Sequence, residues 1–317
     1  MQLHGLHHVT AVTGDAPANL AFYTGVLGLR LVKKTVNQDD VSAYHLFYAD
    51  KLGSPGTDMT FFDWPRTEPD RRGTDSIIAT HFRVNGDAAL AYWAARLDEA
   101  GVRHQPIETI GGHATLRFED PEGQRLALVD DGGAPFHGEV WTGSDVPPAF
   151  ALHGFHAVTL SVPRLDRVEP TLTRLLGFTA IDRRPNPDNP AEEMTVYAMD
   201  GGGPGREVQV VAQPDAPRAW LGRGGVHHVA FRLRDDAEQQ TWLSHLNEAG
   251  MPNSGIIDRF YFKSLYFRIS NGILFELATD GPGFGADEDL DKLGERLALP
   301  PFLEGRRPQI EADLRPL

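Results

Sequence analysis

Four short stretches of this chain open in the same way, and together they require a repeated architecture. Leu6-His7-His8-Val9-Thr10 and Val226-His227-His228-Val229-Ala230 each place two histidines at the head of an alternating apolar run. Ile77-Ile78-Ala79-Thr80-His81-Phe82 and Phe155-His156-Ala157-Val158-Thr159 begin similar runs without the pair. Such alternation is the mark of a half-buried β-strand. A helical pattern follows each one: 16–26, 88–100, a stretch ending at Leu175-Leu176-Gly177-Phe178, and 237–249. Gly28, Gly101, Gly177 and Gly250 then stand where a left-handed C-cap is wanted.

Three further strand-like runs complete each copy. They are 30–36, 43–49 and 59–62 in the first, and 102–107, 114–119 and 124–129 in the second. The third has 179–183, 193–198 and 207–211; the fourth has 256–258, 264–269 and 273–278. Residues 63–75 and 185–190 read as loops, and Asp120-Pro121-Glu122-Gly123 and Ser270-Asn271-Gly272 as turns. The unit is βαβββ, repeated four times with a period of about 70 to 77 residues. Copies one and three share Val-Thr and a Leu-Gly helix stop; copies two and four share Phe-Arg and Glu-Ala-Gly, so a two-unit domain was duplicated. We divide the chain into 1–132 (modules 1 and 2), a Gly- and Pro-rich linker 133–152, 153–280 (modules 3 and 4) and a polar tail 281–317.

The copies can be compared with one another. Aligned on Val-Thr, His8 stands opposite Ala157 and His7 opposite His156; aligned on Phe-Arg, His228 stands opposite Ala79. The second histidine therefore occurs only in modules 1 and 4, so the module does not need it to fold. In the last strand of module 4, Ile273-Leu274-Phe275-Glu276-Leu277 holds a carboxylate where module 2 has Ala127. A lone carboxylate in an apolar strand is costly unless paired or bound to a cation. In module 1 the matching position reads as Phe62, with Asp63 turned to the other face. His8, His228 and Glu276 thus make a two-histidine, one-carboxylate triad, the donor set typical of non-haem Fe(II) oxygenases, with Mn(II) also suited. Ligands from the first and last copies require modules 1 and 4 to face each other, which leaves modules 2 and 3 as the other pair. The fold class is α+β. His4, His45, His81, His104, His113, His137, His153 and His245 have no such support and read as surface or core residues.

Composition narrows the functions further. The chain has no cysteine and 13 histidines among 317 residues, which excludes disulfides, thiolate chemistry and Cys-based metal sites. A net charge of −14 without a basic stripe argues against nucleic acid as a partner. No apolar run reaches membrane-spanning length and no signal-peptide pattern opens the chain, so a cytoplasmic protein without a membrane partner is expected. Self-association into a homo-oligomer stays open.

The repeated unit, the two His-His openings and the late Phe275-Glu276-Leu277 resemble the vicinal oxygen chelate superfamily, which includes glyoxalase I, bleomycin-resistance proteins and extradiol dioxygenases. The resemblance spans residue 5 to about 280 and looks most like the hydroquinone ring-cleaving dioxygenases. It implies half-barrels built from module pairs, Fe(II) held by His8, His228 and Glu276, and a small aromatic substrate cleaved with O2. It also implies His7, Arg259 and Tyr266 as the polar residues around the substrate. Strand alternation would turn His7 away from it unless the strand is bulged. Arg259 and Tyr266 lie in a segment dense in aromatics and cations, 258–267, which suits a pocket for a flat phenolic anion or a packed strand pair. Tyr261 and Phe267 are further substrate-binding candidates there. Two rivals stand beside the dioxygenase: a glyoxalase-type metal-dependent isomerase or lyase, needing a second carboxylate, and a non-catalytic aromatic-compound binding or resistance protein.

Overall fold

The computed structural model describes residues 1–269 and 272–317. Ser270 and Asn271, most of the expected turn before the last strand, lie outside the described residues. Module 1 consists of β1 (Leu6–Thr13), a helical segment, β2 (Arg30–Asn37), β3 (Asp40–Ala49) and β4 (Asp58–Asp63). Module 2 has β5 (Ser76–Val84), a helix, β6 (Glu108–Ile110), β7 (His113–Glu119) and β8 (Arg125–Asp130). Module 3 has β9 (Phe155–Val162), β10 (Thr179–Asn186), β11 (Asn189–Ala198) and β12 (Glu207–Ala212). Module 4 has β13 (Val226–Leu233), a helix, β14 (Asn253–Asp258), β15 (Lys263–Arg268) and β16 (Leu274–Thr279).

Each module runs its first strand parallel to its last, β1 beside β4 and β13 beside β16, with the remaining neighbours antiparallel. Parallel neighbours need a crossover, and the module helix supplies it. Modules then join through their first strands: β1 pairs antiparallel with β13, and β5 with β9. Modules 1 and 4 form one curved pair and modules 2 and 3 the other. Among the described residues a single strand-to-strand bridge, Val226 to Ile77, links the two pairs into one continuous sheet.

Every joining strand carries one extra residue. Between β1 and β13, Leu6 pairs with Phe231 and His8 with Ala230, so His7 is inserted; Thr10 pairs with His228 and Ala11 with Val226, so His227 is inserted. The same break sets Ile78 and His156 as extra residues between β5 and β9. A β-bulge bends its strand and re-aims the side chain it adds. This is the condition under which His7 escapes strand alternation.

The helices are less uniform than the repeat suggests. In modules 2 and 4 they are α-helical, α2 (Gly86–Glu99) and α3 (Asp236–Glu248), and bury Trp93 with Leu97 and Trp242 with Leu246 one turn apart. In module 1, α1 (Ala16–Leu20) runs into a π-helical turn, Ala21–Val26, where Leu27 N–H donates to Phe22 five residues back. In module 3 the expected helix is reduced to short 3-10 and π segments, Leu165–Arg167 and Thr171–Leu175. Two strand expectations also shift. Residues 102–107 are extended with only a bridge from His104 to Phe118, and the strand begins at Glu108. The expected loop 185–190 is mostly strand, turning only at Pro187-Asp188. Pro185 is tolerated because β10 is an edge strand, where a missing donor leaves no ladder partner unpaired.

The tail packs on module 1. Ala298 N–H donates to Lys34 O at 2.9 Å, and Leu299, Leu303 and Ile310 form a buried cluster with Val36. The corresponding strand of module 3, β10, is left open, with Ile181 52% exposed. Among the described residues no helix is long and apolar enough to cross a membrane.

Candidate metal centre

The structure brings His8, His228 and Glu276 together inside the curved pair of modules 1 and 4. His8 lies on β1, His228 on β13 and Glu276 on β16, opposite Ala230 two residues past His228. Glu276 Oε2 is 2.9 Å from His228 Nε2 and 3.2 Å from His8 Nε2, and the two Nε2 atoms are 3.3 Å apart. All three residues are buried, Glu276 completely.

The bulge histidines fix which atoms carry protons. Burial, then the neighbouring His8, pushes the His7 pKa down to about 3, so its ring is neutral. Its Nε2–H donates to Thr279 O at 3.2 Å, which leaves Nδ1 as an acceptor. That Nδ1 is 2.9 Å from His8 Nδ1, so His8 donates there and presents a bare Nε2 to the centre. Module 4 makes the same Nδ1 contact, with His227 Nδ1 at 2.7 Å from His228 Nδ1 and the His227 pKa again about 3 through burial and His228; a neutral His227 carrying its proton on Nε2 would give His228 the same bare Nε2. A ligating histidine held through its other nitrogen is the usual supporting arrangement at metals.

The consequence is a cluster of acceptors. In these tautomers two bare imidazole nitrogens and a carboxylate oxygen converge without an N–H among them, and neither Glu276 oxygen has another hydrogen-bond donor among the described residues. Without a cation, burial opposes the Glu276 charge, and only protons on His8 and His228 would hold its pKa below the ordinary carboxylate range. An isolated buried carboxylate costs several kcal/mol, roughly, in a protein interior. A divalent cation between the three atoms removes that cost, and two histidines with one carboxylate suit Fe(II) or Mn(II). These three residues are the candidate metal site, their ligand atoms all within 4.8 Å of one another.

Beside it lies a narrow slot of about 40 Å³, lined by His8 and His228 and, among others, His45, Phe47, Phe62, Arg259, Tyr261, Phe262 and Tyr266. Arg259 stands 5.5 Å over the Tyr266 ring and forms a two-pronged ion pair with Asp39 of the β2–β3 turn at 2.9 and 3.1 Å. Burial opposes the Arg259 charge, but the bonds to Asp39 and then Tyr266 raise its pKa above the ordinary value. Burial, then the charge of Glu276, raises the Tyr266 pKa and keeps its hydroxyl protonated.

The model of the Glyoxalase/Bleomycin resistance protein/Dioxygenase superfamily matches residues 5–128 and 154–278. The chain belongs to this superfamily. It is 48% identical over its full length, and that of its relative, to MhqA of Bacillus subtilis, named as a ring-cleaving dioxygenase. It is 31% identical to the chlorohydroquinone/hydroquinone 1,2-dioxygenase of Sphingobium indicum, over 98% of this chain and 95% of that one. A crystal structure titled as a dioxygenase from Bacillus subtilis superposes with a TM-score of 0.90 at 35% identity, covering 100% of this chain and 98% of the other. Maize glyoxalase I shares the fold, with a TM-score of 0.62 at 15% identity over 87% and 92% of the two chains. By these full-length likenesses the chain is an enzyme and groups with the ring-cleaving dioxygenases of the superfamily.

Within this family member, the other residues singled out from sequence fall in different places. Arg259, Tyr266 and Tyr261 line the slot, although the Tyr261 hydroxyl is already used, donating to Asp287 Oδ2 at 2.9 Å. His7 does not line it; the bulge turns its ring behind His8, where it sets a tautomer. Phe267 is one residue out of phase with Tyr266, so it faces the core and packs edge-on against Phe275 at 6.0 Å. The position in module 1 that matches Glu276 is Thr60, not Phe62: Thr10 pairs with Thr60 as Ala230 pairs with Glu276. No carboxylate therefore faces Glu276 from that position. His45, set aside from sequence, belongs to the slot, its Nε2 3.0 Å from Thr60 Oγ1 and its ring against Phe47 and Phe62 at 4.0 and 4.5 Å.

The other curved pair has lost the donors. Ala157, Ala79 and Ala127 replace His8, His228 and Glu276, and a hydrogen-bonded chain fills the space. His81 Nε2 is 2.8 Å from Thr159 Oγ1, which donates to Gln209 Oε1 at 3.2 Å.

Proposed function

We propose that this enzyme is a non-haem Fe(II)-dependent, extradiol-type dioxygenase that opens the ring of a substituted hydroquinone with O2, with Mn(II) as the alternative metal. The observation that carries the reading is the convergence of three buried acceptors, none with a proton to share, at the end of an aromatic slot. The full-length likeness to a chlorohydroquinone/hydroquinone 1,2-dioxygenase supports the substrate class.

When bound by His8, His228 and Glu276, the metal supplies Lewis acidity toward a phenolic oxygen and an electron route to O2. The chain's own residues do the rest. Phe47, Phe62 and Phe262 present flat apolar walls that hold a ring and exclude water. Arg259 offers a fixed positive charge to an ionised hydroxyl or to negative charge developing on oxygen. Tyr266 keeps its proton at Oη and can deliver it to a departing oxygen. The slot as it stands is smaller than a benzene-sized guest needs, roughly 150 Å³. Entry therefore requires the slot to widen; the Arg259–Asp39 ion pair forms part of its lining, and Asp39, 72% exposed, can part to water at little cost.

A hydroquinone bound through one hydroxyl carries its second at the far end of the ring. His45, inward-facing on β3, is the polar group for that end. His45→Leu is expected to raise KM for a hydroquinone by roughly tenfold, the worth of one lost hydrogen bond. Catechol, which has no para hydroxyl, should bind as before; equal losses on both would contradict the role. His7→Leu should weaken metal binding by roughly 10–100-fold, as measured by competition with a chelator, because His8 loses the partner that sets its tautomer.

The reading is tested by oxygen uptake after anaerobic reconstitution with Fe(II). Uptake with chloro- or methylhydroquinone, accompanied by loss of aromatic absorbance, is the expected result. A protein with stoichiometric metal that consumes no oxygen with any hydroquinone or catechol, yet isomerises a glutathione hemithioacetal, would move the assignment to the glyoxalase branch.

A further inference from the structure

His228 lines the slot; its neighbour His227 lines a second cavity, of about 160 Å³, where module 2 abuts module 4. The cavity walls come from the starts of β5, β8, β13 and β16 and from the loops before β5 and β13. Four arginines, Arg72, Arg125, Arg218 and Arg268, face two aspartates, Asp70 and Asp75, in a chain whose net charge is −14. Arg72 is engaged with Glu119, and Arg218 lies 3.9 Å from Asp75. Arg125 and Arg268 have no carboxylate within ion-pair distance among the described residues; Arg268 donates to Gly272 O at 2.5 Å. Arg125 is half-buried, and burial followed by repulsion from Arg72 lowers its pKa.

Beside Arg125 is Gln124, only 2% exposed, and neither its Nε2 nor its Oε1 finds a partner among the described residues. A buried unpaired amide costs roughly 1–3 kcal/mol, so its retention calls for a reason. The fold is not that reason. In the sister module the same two positions are Ile273 and Leu274, which line the same cavity with apolar side chains. Module 2 has placed a guanidinium and an amide where its copy shows that hydrocarbon serves.

We propose that this cavity binds a small carboxylate, with Arg125 and the Gln124 amide as donors and Arg268 as the second cation. A guanidinium fork matches a carboxylate through two parallel bonds, which a hydrated ammonium does not. A cavity of this volume holds a guest of roughly benzene size, so a dicarboxylate of four carbons fits. The proposed donors stand apart from the ring-cleavage slot, since none of them lines it, although His227 belongs to the cavity wall.

Succinate titrated calorimetrically into the metal-loaded, full-length protein tests this. One equivalent should bind per chain with a Kd below about 1 mM. Arg125→Gln should weaken binding at least about tenfold, the loss of a charge-assisted bond, while leaving oxygen uptake unchanged. Gln124→Leu should weaken it too, yet melt no lower than the wild type because it removes an unpaired buried amide; this separates lost binding from lost folding. Absence of heat at about 10 mM succinate, or equal affinity in wild type and Arg125→Gln, would overturn the proposal. Inorganic phosphate binding as tightly as succinate would overturn the assignment to carboxylates.

Discussion

Glu276→Gln is expected to abolish metal retention and to lower hydroquinone turnover by well over the roughly 10–100-fold that loss of a mere supporting partner costs. The same variant should be more stable than the wild type when both are metal-free. The wild-type carboxylate is fully buried and meets two bare imidazole nitrogens, 2.9 and 3.2 Å away. Without a cation the wild type must protonate one of these histidines, and burial resists that at His228, whose pKa it lowers. The glutamine amide keeps the shape, carries no charge and can donate both its hydrogens to those nitrogens. A gain of about 1–3 kcal/mol in metal-free unfolding free energy follows, the value of satisfying buried acceptors. Denaturant titration of both proteins with chelator present measures it. A variant that retains stoichiometric metal would remove Glu276 from the ligand set.

Lys33→Ala should destabilise the protein by about 3–5 kcal/mol, the cost of removing one partner from a buried ionic cluster. Lys33 is wholly buried under the tail, where its Nζ donates to Asp287 Oδ1 at 2.7 Å, to Glu288 and to Phe284 O at 3.1 Å. It also stands 4.6 Å over the ring of Tyr261, which lines the slot and donates its hydroxyl to Asp287. Removing the cation strands two acidic groups against β2 and loosens a wall of the slot. Both the unfolding midpoint and KM should therefore change, whereas a tail that merely decorates the surface would leave both within error.

The module architecture and the pairing of copies 1 with 4 and 2 with 3 were legible because one unit is written four times, so the chain supplies its own alignment. The convergence of His8, His228 and Glu276 was legible for a related reason: alanines in the sister copies mark those positions as unnecessary for folding. What alternation alone could not reveal were the bulges. His7 and His227 are extra residues in their ladders, so a strict two-residue period aims them wrongly. The match of Glu276 to Phe62 failed because parallel register depends on where β4 starts, and the ladder sets Thr60 opposite Thr10. His45 carries no internal signal, since its place in the slot comes from the pairing of β3 with β4, which sets it against Phe62. Phe267 was one residue out of phase with Tyr266 in a strand whose inward face the pairing with Glu276 determines.

The most direct measurement is the stoichiometry of oxygen against hydroquinone for the Fe(II)-reconstituted enzyme, with the organic product followed in the same vessel. One O2 consumed per hydroquinone, with loss of the ring and no benzoquinone, is the predicted result. Conversion of the hydroquinone to benzoquinone would mean that the metal oxidises the ring without opening it. Turnover with no oxygen consumed would contradict the dioxygenase account altogether.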